Sequence, residues 1–257
     1  MFNEDAKKID LLINIYENAK NINRRYVIEE EILKLNNPWI AYYFVREVAK
    51  VSRIDEFDKL IASAKNPYLS FLFIKNNHKI ESVKPEKIGD LYKINISEHE
   101  GIILDSNVPY LNYLFAKKIH TSDVLKHGQV VIDSGILKLN YLFARDVPGA
   151  DISKHGQVIL ESGDLHYNYL FARDIKGAQV LKHGQIIINS KDYQYNYDFM
   201  RDVLYADIKN HIKVLRDLQL EQVTSHVQRQ FDKNDDLSHK IDIIIRKAKK
   251  MRNTQKM

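Results

Sequence analysis

Phenylalanine recurs at 115, 143, 171 and 199, histidine at 127, 155, 183 and 211, and asparagine at 112, 140, 168 and 196. Each asparagine is followed by tyrosine, and all the columns share a period of 28 residues. Between 140–164 and 168–192, 16 of 25 positions are identical, among them NYLFARD and KHGQ. Such a repeat restricts the chain to folds in which one small unit is stacked many times. The period continues more weakly toward the N-terminus. NPWIAYYFVREV (37–48) and NPYLSFLFIKNN (66–77) align with VPYLNYLFAKKI (108–119), which places Phe44 and Phe73 in the phenylalanine column. Tyr16 lies 28 residues before Phe44, and His99 lies 28 before His127. Phe73 and His99 are 26 residues apart where the regular units have 12, so one unit carries a 14-residue insertion within 77–98. Seven units result, at Tyr16, Phe44, Phe73, Phe115, Phe143, Phe171 and Phe199.

The spacing within a unit predicts two helices. Leu111, Phe115 and Ile119 share one face at helical periodicity, with Ala116 at its edge, which defines helix A. Gly149 and Gly177 stand where such a helix stops, and Asp123 and Asp151 stand where the next one is capped. In the second segment Lys126, Gln129 and Asp133 form a polar stripe, while Val124, Gly128, Val131 and Ile132 fill the other sides. A strand is the rival reading for this segment, because QVVID, QVILE and QIIIN are rich in β-branched residues. Strict alternation is absent and the three-and-four spacing is present, so the sequence favours helix B. Two short helices alone cannot offset their ordering entropy, whereas stacked pairs can. The expected fold is an all-α solenoid of about seven two-helix repeats with a C-terminal helical cap. The expected division is 1–106 (degenerate repeats with the insertion), 107–218 (regular repeats) and 219–257 (capping helices and basic tail).

The two-helix unit resembles the HEAT-like α-solenoid class, although 28 residues is short for it. The wording FARDV-x-GAD-I, with a second helix ending S-G-D, is similar to tandem repeats of phage, bacterial and large-virus proteins. The resemblance covers 107–210 well and 10–106 loosely. It implies a repeat scaffold that binds something and a viral origin, and it carries no activity.

Charge is unevenly placed. Residues 1–106 are net −1, 107–218 net +2 and 219–257 net +4, which accounts for the overall +5. The basic tail contains Arg246, Lys247, Lys249, Lys250 and Arg252. It reads as a solvated end or as an electrostatic arm for nucleic acid or an acidic partner. The stretch 237–251 is apolar on one side and basic on the other, so it could dock on the solenoid, pair with another subunit and make an oligomer, or lie on an acidic partner or a membrane surface. The absence of cysteine excludes disulfides and thiolate chemistry, and with no membrane-length apolar run or signal peptide it predicts a cytoplasmic protein, in the host cytoplasm if viral.

The repeated columns are expected to be structural first. Adjacent repeats lie about 9 Å apart, too far for neighbouring histidines to share one metal ion, so buried histidines bonded between repeats are expected and no metal or other cofactor is. An asparagine inside an apolar arc must find partners, which suggests a hydrogen-bonded ladder. Tyr113 precedes Lys117 by four residues, as Tyr141, Tyr169 and Tyr197 precede Arg145, Arg173 and Arg201. Ring–cation rows of this kind pack repeats together or stack single-stranded nucleic acid, but the aspartates directly after the arginines leave little free positive charge. The polar stripe of helix B comprises Lys126, Gln129, Asp133, Lys154, Gln157, Glu161, Lys182, Gln185 and Asn189, and it is the preferred partner-binding surface. The insertion, with Lys84, Lys87, Tyr92 and Lys93, is a second candidate loop. No phosphate loop, nucleophile elbow or zinc-protease motif occurs. The expectation is therefore a non-catalytic protein-binding scaffold, for example a phage-encoded stoichiometric inhibitor of a host defence factor. The alternative is a nucleic-acid-binding repeat protein that uses the Tyr/Arg rows or the tail.

Overall fold

A computed structural model describes residues 2–48, 51–77, 94–120 and 122–231. Among the described residues there are fourteen helices and no strand. They alternate as A and B partners: α1 (Phe2–Glu17) with α2 (Ile22–Lys34), α3 (Pro38–Glu47) with α4 (Ile54–Ser63), and α5 (Pro67–Asn77) with α6 (Ile96–Asp105). The regular repeats follow as α7 (Pro109–Lys118) and α8 (Val124–Asp133), α9 (Leu137–Asp146) and α10 (Ile152–Ser162), α11 (Leu165–Asp174) and α12 (Val180–Ser190), and α13 (Tyr193–Asp202) and α14 (Ile208–Phe231). The chain divides into two compact units, Met1–Val158 and Ile159–Met257. Within the first, A helices pack on A helices (α1 on α3, α3 on α5, α5 on α7, α7 on α9) and B on B (α2 on α4, α4 on α6, α6 on α8). Within the second, α11 packs on α13 and α12 on α14. This is the helix-pair stacking of a helical-repeat solenoid.

The period explains the stacking. Phe44, Phe73, Phe115, Phe143, Phe171 and Phe199 are each fully buried, as is Tyr16 at the head of the column. In most repeats the phenylalanine carbonyl also accepts the N–H that closes helix A, as Phe143 does from Val147 at 3.1 Å. Helix B begins on an Asx cap, with Asp123 accepting from the Lys126 N–H and Asp151 from the Lys154 N–H. The β-branched second segment is helical because its four-residue polar spacing, set beside an apolar face, buries Val131, Ile159 and Ile187 completely. Tertiary burial outweighs β propensity here.

Two features of the turns matter later. Gly149 and Gly177 end their A helices at φ 82° and 89°, and Tyr205 occupies the same register at φ 65°. The division expected at 218/219 falls inside one helix, α14. The second helix of the last pair and the first capping helix are one element, since no glycine or proline interrupts 208–231. The 78–93 part of the insertion and residues 232–257, with the apolar-faced stretch 237–251 and the basic tail, lie outside the described residues.

Candidate functional site

The buried polar columns form one repeated clamp. Asn112, Asn140, Asn168 and Asn196 are fully buried on helix A. The Asn140 amide donates to Val131 O and to Ile136 O, both at 3.1 Å. The first acceptor is a carbonyl near the C-terminus of the preceding helix B, where helices leave carbonyls unpaired. The second lies at the start of its own helix A. Asn112, Asn168 and Asn196 repeat this geometry toward Ile103, Ile159 and Ile187. The amide oxygen of each faces a histidine of its own repeat: His127 at 2.6 Å, His155 at 2.8 Å, His183 at 2.7 Å and His211 at 2.8 Å, each through Nδ1. Both amide hydrogens are committed to carbonyls, so Nδ1 carries the proton.

The expected asparagine ladder is present, and one expectation about histidine is corrected. The bond common to these four histidines lies within a repeat, and the asparagine makes the link to the preceding one. The amide is short and central enough to reach both elements, whereas Nδ1 points back at its own helix A. His127 also makes the expected bond between repeats, from Nε2 back to Glu100 Oε1 of the preceding repeat at 3.1 Å. All four histidines are fully buried, and burial pushes their pKa values down, to about 4 for His155 and His183. For His127 the Glu100 carboxylate opposes that shift without cancelling it. Among the described residues no cluster of three or more histidine and carboxylate side chains converges as a metal site would.

The tyrosine–cation rows are also structural in large part. Lys117, Arg145, Arg173 and Arg201 lie 5.0–5.4 Å from the ring centres of Tyr113, Tyr141, Tyr169 and Tyr197. Each arginine also holds the next aspartate through two nitrogens: Arg145 on Asp146, Arg173 on Asp174 and Arg201 on Asp202. These contacts hold the Asp146 and Asp202 carboxyls well below the usual range, with the arginine as the largest cause. The Tyr113 and Tyr169 hydroxyls donate to Asp146 and Asp202 of the following repeats, at 2.6 and 2.7 Å. Tyr141 and Tyr169 are buried, and only Tyr197 of the three arginine-paired rings is open, at 40% exposure. Two of the three expected base-stacking platforms are therefore covered by packing.

Helix B presents the other candidate surface. Lys126, Gln129, Asp133, Lys154, Gln157, Glu161, Lys182, Gln185 and Asn189 are all exposed. Gln129 donates to Asp133 and Gln185 to Asn189, each at 2.7 Å along one helix face. Lys126 pairs with Asp123 at 3.0 Å. Sequence reasoning missed the flank of this stripe: Leu125 and Leu181, 56 residues apart and thus in register, are 64% and 68% exposed. It also missed Trp39, Tyr68 and Tyr110, exposed in one register at the starts of α3, α5 and α7. The repeat alignment contains both rows, but periodicity alone does not tell an outward aromatic from an inward one.

No family model, curated protein or solved structure matches the chain. Among the described residues no helix is long and apolar enough to cross a membrane.

Proposed function

We propose that the chain is a non-catalytic repeat scaffold that binds another protein through the outer face of helix B, acting by occupancy as a stoichiometric inhibitor does. The observation that carries this reading is the division of labour among the repeated polar positions. The asparagine, histidine and most tyrosine positions are spent on internal bonds, while the helix B stripe stays exposed on α8, α10 and α12, with an exposed leucine beside it on α8 and α12. Long side chains bonded along their own helix keep donors and acceptors oriented, which lowers the ordering cost of an interface.

The test is capture from cells of the host with the native chain, followed by sedimentation of the reconstituted pair. The comparison is a variant with Lys126, Lys154 and Lys182 each changed to Glu. The expected outcome is one protein at fixed stoichiometry, lost in a variant that retains native thermal stability. Nucleic acid removed by nuclease, or turnover by a monodisperse sample, would overturn the reading.

A further inference from the structure

His155 is fully buried, and its Nε2 meets no hydrogen-bonding group of the protein. Its Nδ1 is engaged by Asn140, whose amide is in turn fixed by two carbonyls. One face of this imidazole thus ends in an unpaired polar atom, a state that buried groups ordinarily avoid. A cleft of about 70 Å³ lies beside it between α8 and the first turn of α10, lined by Gly128, Gln129, Asp151, Lys154 and His155 among others. One water needs only roughly 10–15 Å³ of such space.

The preceding repeat shows what fits there. Glu100 holds the register position of Gly128, and its Oε1 accepts the Asp123 N–H at 2.6 Å and lies 3.1 Å from His127 Nε2. Asp151 and His155 stand 28 residues on from Asp123 and His127, at the same N-terminus of helix B. Gly128 has no side chain to reach them. The geometry points to a carboxylate-binding site in the cleft between α8 and α10, where an incoming carboxylate takes the place against His155 Nε2 and the Asp151 N–H that Glu100 takes one repeat earlier.

The proton count follows from the hydrogen bonds. Nδ1 already carries a proton, so Nε2 pairs with a carboxylate only by taking up a second. Binding therefore absorbs one proton and strengthens as the pH falls. The charged groups beside the ring are Asp151 and Lys154 of α10, which pair at 3.7 Å, while α8 and α9 contribute neutral Gln129 and Asn140. The positive end of the α10 dipole favours the same occupant. This inference does not depend on the outer stripe binding a protein.

The test follows the imidazole nitrogens of the full chain by long-range proton–nitrogen NMR at pH 5.5. Sodium acetate is titrated to about 100 mM, a hundredfold above a millimolar dissociation constant, against sodium chloride of equal ionic strength. Acetate is expected to raise the protonated fraction of His155 severalfold and to leave His127, which has its own carboxylate, unmoved. Gly128→Ala, whose methyl would stand 3.4 Å from Nε2, is expected to abolish the response. Glu100→Gly opens the same cleft at His127, and acetate but not chloride should raise its thermal stability more than that of the native chain. If that variant does not fold, the native titration decides alone. A blocked peptide bearing one Glu, against its Gln counterpart, separates the sources. A response to peptide and acetate assigns the site to a partner's acidic side chain, and a response to acetate alone assigns it to a free small carboxylate. No response of His155 to either probe, or an equal response of His127, overturns the proposal.

Discussion

Glu29, Asp58 and Glu100 stand in the register position that Gly128, Gly156 and Gly184 occupy further along the chain. In the acidic repeats the carboxylate reaches forward into the next repeat. Glu29 accepts the N–H groups of Ser52 and Arg53 at 2.7 and 3.0 Å, Asp58 accepts from Asn95 N–H and meets His99 Nε2 at 2.7 Å, and Glu100 meets Asp123 and His127. In the glycine repeats the rings of the next repeat close in instead. A Cβ at Gly128 would lie 3.3 Å from the Phe143 ring, and one at Gly184 3.1 Å from the Phe199 ring. The phenylalanine–histidine pairs stack at 26° and 25° behind these two glycines, against 47° and 40° behind Asp58 and Glu100. One column thus shows two ways to seat a histidine: a carboxylate set against its outer nitrogen, or close ring packing that leaves the nitrogen unpaired.

The largest expected consequence is acid sensitivity concentrated in the glycine repeats. An unfolded histidine takes its proton near pH 6.5, whereas His155 and His183 take theirs near 4 in the fold. Above 6.5 both states are neutral and the full stability is present. Between 6.5 and 4 the unfolded chain holds more protons, so stability falls as the pH falls. The loss is roughly 2–3 kcal/mol for each histidine, at 1.36 kcal/mol per pH unit. Urea unfolding from pH 7.5 to 4.5 measures it. Glu100→Gln removes the carboxylate that opposes the shift at His127 and should steepen the decline. A stability flat across that range would mean that the buried imidazoles relax on protonation.

Breaking an acidic link should cost somewhat less. Glu29 is fully buried, and besides the two N–H groups it accepts the Tyr16 hydroxyl at 2.6 Å, a bond that with burial pushes the Tyr16 pKa well up. Glu29→Ala strands three donors and is expected to lower unfolding stability by about 3 kcal/mol, with Glu29→Gln intermediate. A loss below about 1 kcal/mol would show that these donors find other partners.

Much of this was legible in the sequence for a physical reason. A fixed period copies each contact, so one correct helix pair gives the rest, and the burial of Phe143 or Asn140 could be read from spacing alone. The caps Asp123 and Asp151 and the turn glycines Gly149 and Gly177 announced themselves by residue type. The forward reach of Glu100 did not, because the acid–glycine column changes chemistry between repeats and reads as noise in an alignment. The exposure of Leu125 and the burial of Tyr141 were equally hidden.

The glycine side of the comparison can be tested from its backbone. Alanine at Gly128 or Gly184 would gain helix propensity of about 0.5–1 kcal/mol but press a methyl against a packed ring, which costs about 1–3 kcal/mol. The net expectation is a loss of about 1 kcal/mol for Gly184→Ala and less for Gly128→Ala, in the order of their 3.1 and 3.3 Å approaches. Equal gains in the two variants would mean that the rings move aside freely, and that glycine here serves something other than close packing.

The smallest effect should have the opposite sign. Tyr205 sits at φ 65° where the equivalent positions are Gly149 and Gly177, and its side chain is 80% exposed. A left-handed residue with a Cβ carries roughly 1–2 kcal/mol of strain. Tyr205→Gly relieves it, and part of the gain is returned because an unfolded glycine has more freedom to lose. The variant is expected to unfold about 0.5–1 kcal/mol later in urea, with the slope unchanged. Because so little of this ring is covered, the change reports on the turn and not on packing. A loss of stability would show that the tyrosine ring holds Leu204 or the start of α14 in place, so that the turn after α13 is stabilised by a side chain where those after α9 and α11 rely on glycine.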